Sequence, residues 1–298
     1  MVSIVKNVVF KALIFCLLFF LFGALSAQTK RALVVGISKY KETGESTWGT
    51  IHGTNDANLI VPLLQRQGFK TVKICDKYAS ANRIRKEITN MIASCRKGDI
   101  AYLHFSCHGQ PFEDLNGDEE DGWDESIIPY DALMLYSKGK YEGANHITDD
   151  ELNSYFRKLR KAVGATGFVC IVIDACHAGN TYMGNEDEDE EVFRGTRKSF
   201  SPNGKLYRPR INAQGHFLIS QEPGMANIVV IEACRSYETN YEIKIDGTYY
   251  GPLSYYVSQV LSRNKISANT DWVLEVKKMM DCDKRLSRQN MVYETSFK

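Results

Sequence analysis

The 298-residue sequence has no excess of charge of either sign, no CxxC cysteine pair, no linker-like composition and no internal repeat. Each absence excludes something. Once the leader described below is removed, loss of Lys6 and Lys11 takes the 37 basic residues to 35 against 36 acidic ones, which leaves no basic surplus for nucleic acid. Without CxxC spacing, a zinc site or a dithiol redox motif has little support. Without a linker, the chain reads as one domain over residues 28–298. Disorder is excluded as a general description by 44% hydrophobic and 24% charged residues.

What is there begins with Lys6 and Lys11, then an uncharged stretch rich in Leu and Phe, then the small residues of "GALSA" before Gln28. This is the pattern of a secretory signal peptide over residues 1–27, and it predicts export to the periplasm or beyond the cell. The same hydrophobicity permits an uncleaved anchor, but the stretch is short for a span and ends in small residues, which favours cleavage. Cys16 lacks the small neighbours of a lipoprotein site. Of the eight cysteines it leaves with the leader, and an odd seven remain, so at least one thiol of the exported chain is unpaired.

Hydrophobic periodicity predicts strands at 31–37, 71–76, 99–107, 167–175 and 227–234. Between and after them it predicts helices at 53–69, 80–95, 148–162, 251–263 and 271–281, the last closing the chain. Alternation of this kind builds a parallel sheet covered by helices. Two long loops interrupt it: the acidic "PFEDLNGDEEDGWDESIIPYD" (111–131), and a segment from Asn180 to about Pro223 that opens on "NEDEDEE" and turns basic through Arg194, Arg197, Lys198, Lys205, Arg208 and Arg210. Loops this long are functional or disordered.

The fourth strand runs into "DACHAG", and Cys176 falls in the polar turn where open α/β sheets place their chemistry. A cysteine beside a strand is by default core. The third strand, however, ends on "SCHG", so His108 and Cys176 face each other if the two strands are neighbours. A thiol beside an imidazole is an activated nucleophile.

At these residues the chain resembles the caspase-like cysteine peptidases, most closely metacaspases and their bacterial relatives. "SCHG" matches the family's histidine motif and "DACHAG", with Asp174, Cys176 and Gly179, its nucleophile motif; "TNDA" (54–57) and "DGWDESIIPYD" followed by "ITDDEL" add to the likeness, which covers nearly all of residues 30–298. The resemblance implies an α/β/α sandwich with a six-stranded, mainly parallel sheet. It implies Cys176 as nucleophile, His108 as general acid and base, and the amides of Gly109 and Cys176 as the oxyanion hole, with His177 as scaffolding. Asp56, Ser106 and Asp174 match the lining of an acidic pocket that selects Arg or Lys, although Asp56 could instead cap its helix. No cofactor is required on this reading. Calcium is implied through Asp124, Asp149 and Asp150, yet Met183 stands about where a further ligand is expected. Asp114, Asn116, Asp118 and Glu125 fall at EF-hand-like offsets, with Glu119 where that loop needs Gly. A solvated acidic loop explains both sets about as well.

The expected function is therefore an exported, monomeric cysteine endopeptidase acting on proteins or peptides after Arg or Lys. Self-processing is expected in the basic loop, read as a flexible tether, after Arg194, Arg197 or Lys198. The bland alternative is that those charges only keep the loop soluble. A catalytically idle caspase-like binding domain is a further alternative, as is a redox protein pairing Cys107 with Cys176, although strand alternation turns Cys107 away from His108.

Overall fold

The computed structural model describes residues 28–117, 119–176, 192–196, 198–207 and 209–297. Residues 1–27, with the expected leader, lie outside them, as do Asp118, His177, Gly179, Met183, Arg197 and Arg208. In chain order the elements are β1 (Lys30–Gly36), α1 (Gly53–Arg66), β2 (Phe69–Cys75), α2 (Ala81–Ser94), β3 (Ile100–Ser106), β4 (Gly109–Glu113), β5 (Trp123–Ile127), β6 (Ile147–Thr148), α3 (Asp149–Val163) and β7 (Phe168–Asp174). They continue with β8 (His216–Leu218), β9 (Asn227–Glu232), β10 (Ile243–Ile245), β11 (Thr248–Tyr250), α4 (Pro252–Leu261), α5 (Asp271–Cys282) and β12 (Val292–Thr295).

The central strands β1, β3 and β7 are apolar on both faces because both faces are covered. On one side Leu33 and Val35 of β1 pack with Ile84 and Ile88 of α2 and with Leu152, Phe156 and Leu159 of α3. On the other, Ala32 and Val34 pack with Ile60 and Leu64 of α1, Val257 and Val260 of α4 and Trp272 and Val276 of α5. A period of two along one strand thus feeds two separate cores. This is the expected α/β/α sandwich.

The sheet has seven strands, in the order β2-β1-β3-β7-β9-β12-β8, where the resemblance implied six. The seventh, β8, comes from the long second loop and pairs parallel to β12 through Tyr293↔His216. Strand β12 itself runs antiparallel to β9 and follows the helix expected to end the chain. The acidic first loop is also more structured than its composition suggests: its strands β4 and β5 form a small antiparallel sheet with β6, which follows the loop.

The strand order reverses at β1. From β1 the chain crosses to β2 on one side, whereas β3 lies on β1's other side and leads on to β7. Such a switch point opens a crevice at the carboxyl ends of the strands. β3 and β7 are parallel neighbours with Ser106 paired to Asp174, so the two turns carrying His108 and Cys176 leave the sheet side by side.

Candidate active site

Each side of the crevice is built from a different element. His108 follows β3 and is 4% exposed; Tyr40 and Trp48 stand over its ring with centroids 5.2 and 5.1 Å away, and its backbone amide donates to the Tyr40 hydroxyl at 2.8 Å. Its Nε2 lies 2.9 Å from the carbonyl of Gly49. A carbonyl only accepts, so Nε2 carries the proton and Nδ1 keeps the lone pair. Among the described residues no donor reaches that buried Nδ1, and the carbonyl of Arg194 lies near the ring.

Burial lowers the His108 pKa to about 4, and the same cause lowers His104 to about 4 and His146 to about 3. A depressed imidazole is the neutral, proton-accepting form across the range where an ordinary histidine, at about 6.5, would be charging. In the Cys176→Ala chain, NMR of ring-labelled histidine should therefore show His108 as the neutral Nε2–H tautomer down to about pH 5. A titration midpoint near 6.5 would contradict this environment.

Cys176 is fully buried, and its thiol donates to the carbonyl of Glu238 at 3.0 Å. It packs against Cys234, whose thiol hydrogen-bonds it, and both sit under Tyr207. Cys107 lies in the separate core cluster with α2 and α3, where burial pushes its thiol up to about 12. The sulfur neighbour of Cys176 is thus Cys234, and the Cys107 pairing considered from sequence has no geometric support.

The amides of Gly109 and Cys176 converge on one carbonyl oxygen, that of Arg194, at 3.1 and 3.0 Å. The Arg194 side chain, 0% exposed, enters the pocket lined by the three residues singled out from sequence. Its Nη2 lies 2.7 Å from Asp56 Oδ2, its Nη1 donates to Ser106 Oγ at 2.7 Å, and Asp174 Oδ1 stands 3.7 Å from Nη1. Asp56 is no helix cap: His52 holds the N-cap position of α1, without a side-chain capping bond, while the Asp56 carboxylate accepts from Arg194, from the Ser106 hydroxyl at 2.6 Å and from the Gly251 amide at 3.1 Å. The amino end of α4 contributes again through Ser254, whose amide donates to Asp174 Oδ2 at 2.7 Å. A helix N-terminus is a natural support for two carboxylates held out of water.

Sequence reasoning missed a fourth wall. Glu242 bonds Arg194 Nη2 at 2.8 Å and, on its other oxygen, His52 Nδ1 at 2.5 Å; Asn240 Nδ2 steadies Asp174 Oδ1 at 2.8 Å. Both lie in "YETNYE", which has no periodicity and no motif to flag it. Gly49 and Gly251 were missed too. A Cβ at Gly251 would overlap the Asp174 carboxylate and the Arg194 guanidinium, so only glycine leaves the pocket open. Burial pushes the Asp56 carboxyl up to about 7 against the pull of Arg194. Although burial also disfavours its charge, Arg194 is held above its ordinary value by Asp56, Asp174 and Glu242.

The segment around Arg194 is not the flexible tether its composition suggested. Upstream, the Arg194 amide donates to Asn240 O at 2.9 Å and the Glu242 amide to Val192 O at 2.8 Å, an antiparallel pairing with Phe193 opposite Tyr241. Downstream, Gln110 Nε2 holds the Lys198 carbonyl at 2.8 Å and Phe200 runs beside Phe112 of β4. Of the three processing candidates, Arg194 occupies the pocket, Lys198 lies beside β4, and Arg197 is outside the described residues.

The residues expected to hold calcium are placed less compactly. Asp124, on β5, is buried; Asp149 starts α3; Asp150 accepts from Asn116 Nδ2 at 2.9 Å. Burial and the charges of Glu125, Asp124 and Glu119 push Asp149 up to about 8. Asp114 accepts from the backbone amides of Asn116, Gly117 and Glu119, closing its own turn, while Glu125 on β5 pairs with Pro111 of β4. Among the described residues no group of three or more His, Cys, Asp or Glu side chains is arranged to hold a metal ion.

A thiol and an imidazole on adjacent strand ends, beside two convergent amides and an acidic slot, define the class: an α/β cysteine peptidase fold of the caspase type. The comparisons agree. Residues 29–298 match the caspase domain model, and the chain belongs to that family. It is 33% identical over 162 residues to Metacaspase-2 of Arabidopsis thaliana, covering 50% of this chain and 34% of that one. Metacaspase-1B of Aspergillus fumigatus is 40% identical over 160 residues (50% and 35%), and Metacaspase-1 of Schizosaccharomyces pombe is 24% identical over 281 residues (79% and 60%). The chain therefore matches only part of the length of these relatives. A crystal structure of a Geobacter sulfurreducens protein superposes with a TM-score of 0.62 at 19% identity, covering 90% of this chain and 93% of that one, which supports the fold.

Proposed function

We propose that this protein is a cysteine endopeptidase that cleaves after arginine or lysine with a Cys176–His108 dyad, and that its first substrate is its own Arg194–Gly195 bond. One observation carries the reading: the Arg194 carbonyl accepts from the Gly109 and Cys176 amides while its guanidinium fills the pocket of Asp56, Ser106, Asp174 and Glu242. A peptide bond held by both its arginine side chain and its carbonyl oxygen is posed as a substrate. The Cys176 sulfur turns from the Glu238 carbonyl to the Arg194 carbonyl carbon, passing its proton to His108 Nδ1. The developing oxyanion stays on the two amides, each such donor being worth about 2.7–4 kcal/mol in comparable sites. His108 then returns the proton to the departing Gly195 amine, and water hydrolyses the thioester. The Gly49 carbonyl keeps the imidazole in the tautomer this sequence needs.

The direct test is a fluorogenic arginine peptide offered to the wild type beside Cys176→Ala. Turnover by the wild type alone supports the proposal, whereas no turnover by either, or equal turnover by both, rejects it. An idle binding domain would not need the thiol.

We further propose that the chain is exported after loss of residues 1–27, on the leader pattern of basic, apolar and then small residues, and that it acts as a monomer. Calcium is proposed as a stabilising ion at Asp124, Asp149 and Asp150, supported by the crowding of carboxylates there and opposed by the lack of a metal-like arrangement among the described residues; no catalytic step is routed through it. Millimolar calcium should raise the melting temperature of Cys176→Ala relative to chelator, because a ligand that binds only the folded state stabilises it. Identical melting curves would retire the site.

A further inference from the structure

We propose that the edge formed by Asn240, Tyr241 and Glu242 makes the enzyme select substrates with an aromatic residue immediately before the arginine and an extended apolar residue before that. The inference rests on the peptidase reading and goes beyond it, because the acidic pocket specifies only the arginine.

The self-segment shows how a substrate lies. Val192, Phe193 and Arg194 add an antiparallel strand to residues 240–242, with the Arg194 amide on Asn240 O at 2.9 Å and the Glu242 amide on Val192 O at 2.8 Å. These two bonds flank the pair Phe193 and Tyr241, which makes it the non-hydrogen-bonded pair of the ladder. In such a pair the two backbones approach most closely and the side chains meet. The rings of Phe193 and Tyr241 do meet, edge to face with centroids 6.5 Å apart. Val192 packs against the apolar cluster that includes α2 and α3. Strand addition of this kind binds any extended chain through its backbone and selects among chains through alternate side chains. Here the alternate side chains Val192 and Arg194 share one face, where the arginine is taken by the carboxylates, while Phe193 between them points to the other face and is taken by Tyr241.

The self-sequence Val-Phe-Arg is then the template for substrates in trans, and Tyr241 is a specificity-determining residue. The experiment compares kcat/KM of the purified full chain on two coumarin-amide peptides, Val-Phe-Arg and Val-Gly-Arg. Wild type should prefer the first by roughly tenfold, the scale of one aromatic pair with its buried area. Tyr241→Ala should bring that ratio close to one, and Tyr241→Phe, which keeps the ring, should retain it; the ratio is the readout, so a general loss from misfolding does not imitate the result. A wild-type ratio near one with both peptides turned over would overturn the inference and leave the peptidase reading standing, and so would a tenfold ratio that survives Tyr241→Ala. No turnover of either peptide by the wild type would overturn both.

Discussion

Alanine at Cys176 or at His108 should each lower turnover of arginine peptides by roughly four orders of magnitude or more, the scale at which removing one member of a nucleophile–base unit removes its whole contribution. The physical reason is the leaving group. An amide nitrogen departs poorly unless protonated, and the imidazole, whose Nδ1 meets no donor among the described residues, faces the crevice, held by Gly49, Tyr40 and Trp48. Neither change should unfold the chain, because Cys176 sits in a small cluster with Cys234 outside the two main cores, and the turn carrying His108 stays anchored by its backbone bonds. Circular dichroism and melting of both variants beside wild type provide the control. Comparable turnover by either folded variant would end the dyad.

The acidic pocket carries the second large effect. Asp174→Ala should cost arginine substrates about 2–5 kcal/mol, the penalty for truncating one partner of a buried charge pair, or at least some tens of fold in kcat/KM. The loss extends beyond the guanidinium, since the Asp174 carboxylate also accepts from the Ser254 amide and from Asn240 Nδ2, and both donors would be stranded. Asp174→Asn keeps the shape and removes the charge, so a similar selective loss there isolates the electrostatic part. Labelling of Cys176 by iodoacetamide reports whether the thiol stays competent. A substrate profile that favours aspartate or an apolar residue in wild type would contradict the pocket outright.

The alternation of strand and helix was legible because buried parallel strands are apolar throughout and their helices carry one-sided stripes, as α2 does with Ile84, Ile88 and Met91. Strands β8 and β12 were not, being short and partly polar; pairing at the sheet edge, not local pattern, makes them strands. Strands β4 and β5 of the small sheet hid inside an acidic composition for the same reason. The motifs placed His108, Cys176, Asp56, Ser106 and Asp174 around one crevice, but Glu242 and the Gly49 carbonyl belong to no motif, and their roles appear only when distant segments meet. Arg194 is the sharpest case. Composition put it in a flexible basic tether as one of three self-processing candidates, but did not show that three carboxylates from α1, β7 and the 240–242 edge draw it fully out of water. Charge complementarity across long sequence separations cannot be seen in a local window.

Under the proposed function, Arg194–Gly195 is the first bond cut. Intact-mass spectrometry of freshly purified wild type and Cys176→Ala, handled in parallel, tests it most directly. Two fragments are expected in the wild type, the first ending at Arg194 and the second beginning at Gly195, held together as one particle in gel filtration through the shared sheet, with Cys176→Ala intact. An active wild type that stays whole, or equal cutting of both chains, would contradict it.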